Sequence, residues 1–237
     1  MRAVITFHHL GAGGGPLVYP VAAFDALLRS IAGCGLAIVD LDTLLAPDAG
    51  PGVALAFDDG CRSVLTAALP VLEGAAAPAH LFLCTGWVDG DLPERARMPA
   101  FPPLDWDGVL HLHRHGVAIE SHTRGHPDLR GLDGDRVEDE CERADEAIER
   151  RVGRRPRYFA YPYGRSDAGS RRVAASRYAA AFTTRLAALS DADDPYRLPR
   201  IDAHYLRAGV IRSRIDGPAA RAWLACRGAL RTLGGRQ

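Results

Sequence analysis

Two adjacent carboxylates and two closely spaced imidazoles are the groups in this sequence best suited to chemistry. Asp58 and Asp59 close the apolar run 53–57, and a short apolar run that ends at a turn predicts a buried strand. Burying two like charges is costly unless a metal or an arginine compensates them. His122 and His126 follow another apolar run, and their spacing would project both imidazoles to one side of a helical turn. One carboxylate and two imidazoles predict a three-ligand metal site with room for a water.

Alternating strands and helices must position these groups. The sequence predicts strands at 3–7, 36–39, 53–57, 79–84, 116–121, 158–161 and 179–184, and helices at 21–31, 63–73, 104–115, 133–152 and 170–176. Residues 86–103, rich in Pro, Gly and charge, predict a long loop on the active-site face. The alternation indicates parallel βαβ units, in a barrel or an open doubly wound sheet, with chemistry at the C-terminal strand ends. The groups that follow predicted strands, and are therefore expected on one face, are His8, Asp58, Asp59, His122, His126 and Tyr163.

The composition is typical of an ordinary globular chain. The length of 237 residues suits a single domain over 1–237, and the net charge of zero gives no indication of nucleic-acid binding. No apolar run is long enough for stable membrane insertion, and the start of the chain lacks the apolar region of a signal peptide. The widely spaced cysteines suit reduced thiols, so a cytoplasmic location is expected. The oligomeric state is left open.

The basic residues and the C-terminal segment narrow the function further. All 29 basic residues are arginines, and the absence of lysine excludes Schiff-base chemistry and a P-loop lysine. Residues 206–237 combine arginines with Trp223, Leu224 and Leu230. This pattern favours a helix that closes the barrel over an amphipathic segment on an anionic membrane.

Three segments together resemble the polysaccharide deacetylases of the NodB-homology type, carbohydrate esterase family four. Residues 56–60 resemble that family's T-F-D-D-G motif, residues 121–129 its H-S/T-x-x-H motif, and residues 159–164 its third motif. The start of the chain resembles poly-N-acetylglucosamine deacetylases in which the motif order is permuted. The resemblance implies an α/β fold, a distorted (β/α)7-type barrel in a single domain. It also implies metal-dependent removal of N-acetyl groups from an acetamido sugar.

The resemblance also implies roles for individual residues. Asp58 would be the general base, and Asp59, His122 and His126 would hold a divalent metal. The backbone N–H of Tyr163 would stabilise the oxyanion. Nitrogen and oxygen ligands suit zinc, although iron, cobalt, nickel or manganese could occupy the same three ligands.

The sequence departs from the family pattern at two positions. Ala160 stands where the third motif usually has an arginine that orients the base, and we hypothesise that Arg200 reaches in from a neighbouring strand end. The usual late L-x-H motif is not evident either. His8 is therefore our choice for the general acid, with His204 as second choice. His9, the third histidine considered, is interpreted as a loop residue or as a residue that supports the site from outside it.

Two alternatives remain open at this point. The same scaffold could serve a C–N hydrolase that acts on a non-sugar amide, or a non-catalytic carbohydrate-binding barrel. A binding module needs no general base, so the presence of Asp58 together with three ligands favours catalysis.

Overall fold

Strands and helices alternate along the chain as the sequence predicts. The computed structural model describes residues 1–90, 92, 101–207 and 215–233. The strands are β1 (Arg2–Phe7), β2 (His9–Leu10), β3 (Val18–Tyr19), β4 (Ala37–Ile38), β5 (Gly52–Asp59), β6 (Ala79–Leu83), β7 (Val117–Ser121), β8 (Tyr158–Ala160), β9 (Ala180–Phe182) and β10 (Ile201–Asp202). The helices are α1 (Val21–Gly33), α2 (Leu41–Leu44), α3 (Leu69–Gly74), α4 (Thr85–Asp89), α5 (Trp106–Arg114), α6 (Gly134–Val152), α7 (Ala168–Arg177) and α8 (Pro218–Leu233). A π-helical turn at Val64–Ala68 leads into α3, and 3₁₀ turns lie at Pro162–Gly164 and Ala203–Leu206.

The main strands form one curved parallel sheet in the order β10-β1-β5-β6-β7-β8-β9, with β4 beside the first half of β5. Phe182 in β9 is bridged to Leu198, which lies just before β10. The two ends of the curved sheet therefore approach each other through the segment 198–202. This architecture confirms the predicted α/β fold, a distorted (β/α)7-type barrel.

Side chains of β5 alternate between two apolar layers. Val53, Leu55 and Phe57 belong to the largest core cluster, which also contains the buried residues of α1. Ala54 and Ala56 belong to a second cluster, with side chains from β1, β6, β8 and β9. The period of two in a strand explains this division. It also assigns Asp58 to the same inner row as the two alanines.

Local capping signals define the helix that follows β7. Asp133 caps α6, since its carboxylate accepts a hydrogen bond from the Arg136 N–H at 2.8 Å. Gly153 ends α6 with φ 80°, the left-handed conformation in which glycine has no steric penalty. The sequence prediction of a helix at 133–152 is confirmed.

The predicted loop at 86–103 is wrong at its start. Thr85–Asp89 forms the short helix α4, which ends at Gly90 with φ 72°. Gly86, the second residue of α4, disfavours a helix by propensity, but a Cβ at this position would lie 2.7 Å from the Arg124 carbonyl oxygen, so the packing requires glycine here. Residues 91 and 93–100 lie outside the described residues.

The described part of the C-terminal segment packs into the largest core cluster. In α8, Leu224 is buried in the largest core cluster together with Ile215. Residues 208–214 and 234–237, also part of the predicted closing segment, lie outside the described residues. None of the helices within the described ranges is long and apolar enough to cross a membrane.

Candidate metal centre and active site

Asp59, His122 and His126 converge at the C-terminal end of β5 and β7. The Asp59 Oδ1 atom lies 3.5 Å from His122 Nε2 and 3.6 Å from His126 Nε2. The two Nε2 atoms are 3.2 Å apart. Ligand atoms about 2.1 Å from one ion, at tetrahedral or octahedral angles, are roughly 3.0–3.4 Å apart. The spacing of the three side chains therefore fits a single bound cation.

Irregular backbone, rather than a helical turn, brings the two imidazoles together. The segment after β7 is not helical, and Thr123 and His126 have φ of 65° and 55°. The Thr123 hydroxyl accepts a hydrogen bond from the His126 N–H at 3.0 Å. Glu140 of α6 accepts a hydrogen bond from the Gly125 N–H at 2.7 Å. The sequence prediction that both residues share a helical turn is wrong, because these contacts hold two residues in the left-handed region.

Asp59 also depends on an unusual backbone conformation. Strict alternation along β5 would turn the side chain of Asp59 toward the helix layer, away from Asp58. Instead Asp59 has φ 77°, and Gly60 follows with φ 93°. This local reversal breaks the alternation, so that both carboxylates reach the same end of the barrel.

A hydrogen bond fixes the tautomer of His122. Its Nδ1–H donates to the Ala160 carbonyl oxygen at 2.7 Å, which leaves Nε2 as the ring nitrogen that faces Asp59 and His126. A metal-binding histidine commonly has its second ring nitrogen held in this way. The residue that replaces the family's arginine thus contributes through its backbone carbonyl.

The electrostatics of Asp59 and His126 favour the protonation states that a metal requires. Burial alone would raise the pKa of Asp59, but the hydrogen bond from His122 and the nearby imidazoles lower it to about 2. Burial and the charge of His122 lower the pKa of His126 to about 4. Burial lowers the pKa of His122, yet the hydrogen bond to Asp59 and the charges of both aspartates outweigh it and raise that pKa. At neutral pH, a carboxylate and a neutral imidazole are thus available at the centre, as metal binding requires.

Asp58 has a different partner. Arg200 donates from Nη1 to Asp58 Oδ1 and from Nη2 to Oδ2, each at 2.8 Å, and both side chains are buried. Arg200 also donates from Nε to the Thr183 carbonyl oxygen at 3.1 Å. Burial raises the pKa of Asp58. The guanidinium of Arg200 and the imidazoles of His122 and His8 lower it by a larger amount, so the pKa of Asp58 lies below its usual value. Asp58 is therefore an oriented carboxylate beside the candidate metal centre.

His8 and Tyr163 border this group. His8, at the bend after β1, has its Nε2 atom 4.0 Å from Asp58 Oδ2. Tyr163 has φ 59°, and its ring centroid lies 4.6 Å from that of His126 in an edge-to-face arrangement. Half of the Tyr163 side chain is exposed, on the open side of the site.

The other two histidines considered as acids lie elsewhere. The His204 ring packs edge-on against Tyr205 in the 3₁₀ turn after β10. The His9 ring stacks on Phe101 with a centroid distance of 4.1 Å. Neither ring has an ion pair with Asp58 or Asp59 in the part of the chain that the structure describes.

Three residues of the site are not among the ligands or catalytic groups that the sequence predicts. Trp87 packs against His126 with a ring distance of 5.2 Å and is almost fully buried. The Glu140 carboxylate accepts a hydrogen bond from the Gly125 N–H. The Thr183 carbonyl oxygen accepts one from the Arg200 side chain. Such contacts depend on tertiary structure, and no sequence motif predicts them.

Comparison with known proteins shows similarity to polysaccharide deacetylases. Residues 46–180 match the family model described as polysaccharide deacetylase. The candidate polysaccharide deacetylase YxkH of Bacillus subtilis (strain 168) is 24% identical over 204 residues, which cover 83% of this chain and 70% of YxkH.

Two solved structures share the fold. IcaB from Ammonifex degensii superposes with a TM-score of 0.76 at 21% identity, covering 94% of this chain and 96% of IcaB. The Streptococcus pyogenes deacetylase PplD, solved in complex with acetate, superposes with a TM-score of 0.74 at 21% identity, covering 84% of this chain and 91% of PplD. Since the family match spans more than half of the sequence and includes both carboxylates and both imidazoles, the chain belongs to the polysaccharide deacetylase family.

Proposed function

We propose that the protein is a metal-dependent N-deacetylase that hydrolyses the acetamido group of a sugar in an oligosaccharide, a polysaccharide or a glycan precursor. The observation that carries this proposal is the different partnering of two adjacent carboxylates. Asp59 faces two imidazole nitrogens within 3.6 Å, whereas Asp58 faces a guanidinium. Environments that separate two neighbouring carboxylates in this way commonly separate their roles.

Asp59, His122 and His126 would hold the metal. Their atoms suit zinc, and iron, cobalt, nickel and manganese accept the same ligands. A divalent cation at this position would act as a Lewis acid on the acetamide carbonyl and lower the pKa of a nearby water toward 7.

Asp58 would accept the proton of the attacking water. Its two hydrogen bonds to Arg200 keep the carboxylate ionised and fix its plane, and a carboxylate retains further lone pairs for a water. As the water attacks the acetamide carbon, negative charge develops on the carbonyl oxygen. The backbone N–H of Tyr163 would donate to that oxygen, and Pro162 before it limits the freedom of the turn.

We expect His8→Ala to reduce kcat for an N-acetyl sugar about 10²–10⁴-fold, with metal content unchanged. The amine product must leave with a proton, and His8 is the imidazole beside Asp58 that has no place among the three ligands. Hydrolysis of an aryl acetate ester should fall much less, because a phenolate leaves without protonation. His204→Ala is the matched control, and unchanged amide turnover in His8→Ala would refute this role.

Arg200 would act as a positioning residue for Asp58. We expect Arg200→Gln to reduce kcat at least about tenfold while KM and metal content change little, because the base loses its orientation but the ligands remain. Arg200→Lys, which keeps the charge but only one donor group, should recover part of the activity. Steady-state kinetics and metal analysis measure these effects, and full activity in Arg200→Gln would contradict the assignment.

Acetate release tests the function as a whole. The metal-loaded protein should release acetate from N-acetylglucosamine oligosaccharides and lose this activity when a chelator removes the metal. Small non-sugar amides, incubated in parallel, distinguish a general C–N hydrolase. Glycan binding without any acetate release or metal uptake would instead favour a non-catalytic barrel.

A further inference from the structure

A strongly basic cavity lies beside the candidate active site, at the C-terminal ends of β8 and β9. Its volume is about 170 Å³. We call it the arginine pocket, and its lining residues are Arg130, Gly164, Arg165, Ser166, Thr183, Thr184, Arg185 and Arg197. Half of these residues are arginines and none carries a carboxylate. Since the whole chain has no net charge, this accumulation of positive charge is local.

Asp128, which does not line the pocket itself, binds two of its arginines. Asp128 accepts hydrogen bonds from Arg130 Nε at 3.0 Å and Nη2 at 2.7 Å. The same carboxylate accepts a hydrogen bond from Arg165 Nη1 at 3.0 Å. Asp128 therefore orients two guanidinium groups at the wall but neutralises only one positive charge.

The remaining two arginines have one carboxylate between them. Arg185 forms an ion pair with Asp193. Arg197 is exposed and forms no ion pair with any residue that the structure describes. The four guanidinium groups thus carry two positive charges more than Asp128 and Asp193 neutralise, which gives the pocket a positive potential for anions.

The arginine pocket adjoins the proposed catalytic groups through one side chain. The guanidinium carbon of Arg165 lies 5.6 Å from the ring centre of Tyr163, and the same ring packs against His126. On the opposite wall, the Thr184 hydroxyl donates to the Tyr163 carbonyl oxygen at 3.4 Å. A group bound in the pocket would therefore be a near neighbour of the sugar on which the metal centre acts.

The wall of the pocket is also fixed to the proposed base. The Arg200 N–H donates to the Arg185 carbonyl oxygen at 3.0 Å, and Arg200 Nε donates to the Thr183 carbonyl oxygen. Gly164 has φ 68°, and a Cβ there would lie 2.3 Å from the Thr184 nitrogen. The close approach of the two strand ends therefore requires glycine. The segment that lines the pocket is held in place from both sides.

We propose that the arginine pocket binds an anionic group, a carboxylate or a phosphate, carried by the glycan next to its N-acetylated sugar. The inference rests on the proposed deacetylase function and narrows the substrate to an acidic glycan. Guanidinium groups suit this task because their forked donors match both carboxylate and phosphate oxygens. The excess of two positive charges attracts an anion. Asp128 and Asp193 hold three of the four guanidinium groups in position.

The first test compares matched substrates. Acetate release is measured on N-acetylated oligosaccharides that are neutral, that carry a uronic acid beside the acetylated sugar, or that carry a phosphate there. Wild-type protein should favour at least one anionic substrate in kcat/KM by about tenfold or more, and the preferred one identifies the source of the anion. Arg197→Gln should reduce this preference about five- to tenfold, since an arginine without an acidic partner is removed and no carboxylate is orphaned. Equal kcat/KM on all three substrates would overturn the proposal.

Arg150→Gln is the matched control. Arg150 is exposed in the last turn of α6, which returns the chain to the N-terminal end of β8, whereas the arginine pocket lies at the C-terminal ends of β8 and β9. This variant loses the same charge from the chain as Arg197→Gln. A preference for anionic substrates that falls equally in both variants would mean a general charge effect and would refute the pocket.

A second measurement is independent of turnover. Sulfate is titrated into the metal-free protein at constant ionic strength, and the arginine Nε–H resonances are followed by NMR. Resonances of the pocket arginines should shift with saturation in wild type, and this response should weaken in Arg197→Gln but not in Arg150→Gln. Saturable binding without deacetylation of any glycan would support the anion site and reject the proposed function. Deacetylation of neutral glycans without sulfate binding would reject the anion site alone.

Discussion

Asp58→Asn is expected to reduce kcat for acetate release about 10³-fold while the protein keeps its full metal content. The amide has the shape of the carboxylate but cannot take the proton of the attacking water. Asp58 is bonded to Arg200 and is not one of the three converging side chains, so all three ligands remain in this variant. Steady-state acetate release and metal analysis of the same preparation measure the two effects.

Stability must be controlled in this variant, because the substitution leaves Arg200 buried without its carboxylate. Breaking a buried ion pair from one side costs about 3–5 kcal/mol. The double variant Asp58→Asn/Arg200→Gln removes both charges and should recover much of the lost free energy of unfolding, measured by urea titration, without recovering turnover. Wild-type kcat in a folded Asp58→Asn protein would show that the proton acceptor is another group.

Asp59→Asn, the same substitution one residue later, should instead abolish metal binding. The amide loses the negative charge that faces the two Nε2 atoms at 3.5 and 3.6 Å. Replacing a residue that only orients a metal ligand lowers metal affinity about 10–100-fold. Replacing the charged ligand itself should therefore lower the affinity by more than this. Turnover at limiting metal should fall by a similar factor.

Calorimetric titration of the metal-free proteins with zinc measures this difference. The two asparagine variants control for each other, since they change the same group at adjacent positions. His113→Ala, in the last turn of α5 and outside the group of three ligands, controls for the loss of an imidazole and should bind zinc as wild type does. If Asp59→Asn binds zinc with wild-type affinity, the three residues are not the metal site.

The sequence predicts the fold better than the local geometry of the site. Alternating apolar runs and capped helices are local signals, and β5, β6 and α6 lie where those signals predict them. The short helix α4 is missed because it has only five residues and its first two N–H groups, those of Thr85 and Gly86, donate to carbonyl oxygens of the segment after β7. Pairing of Asp58 with Arg200 spans 142 residues, and only the replacement of the family's arginine by Ala160 hints at it.

Backbone conformation explains the rest of the difference. Asp59, Thr123, His126 and Tyr163 all have positive φ, which is uncommon for any residue with a side chain and rarest for β-branched or bulky residues such as threonine and tyrosine. Each is held there by tertiary contacts, such as the hydrogen bonds of Thr123 and Glu140 after β7. Residue type and spacing identify these side chains as metal-binding candidates, but the convergence of their atoms depends on this strained backbone.

Arg200 links the junction between the two edges of the sheet to the orientation of Asp58, the proposed base. Its guanidinium reaches Asp58 on β5 and the Thr183 carbonyl after β9, while its own backbone lies in the segment 198–202 that joins the sheet edges. Transient fraying of this junction would withdraw the partner of Asp58 before any core helix unfolds. Amide exchange at Thr183, Arg185 and Arg200 should therefore accelerate at the temperatures where turnover declines, below the cooperative melting of the domain.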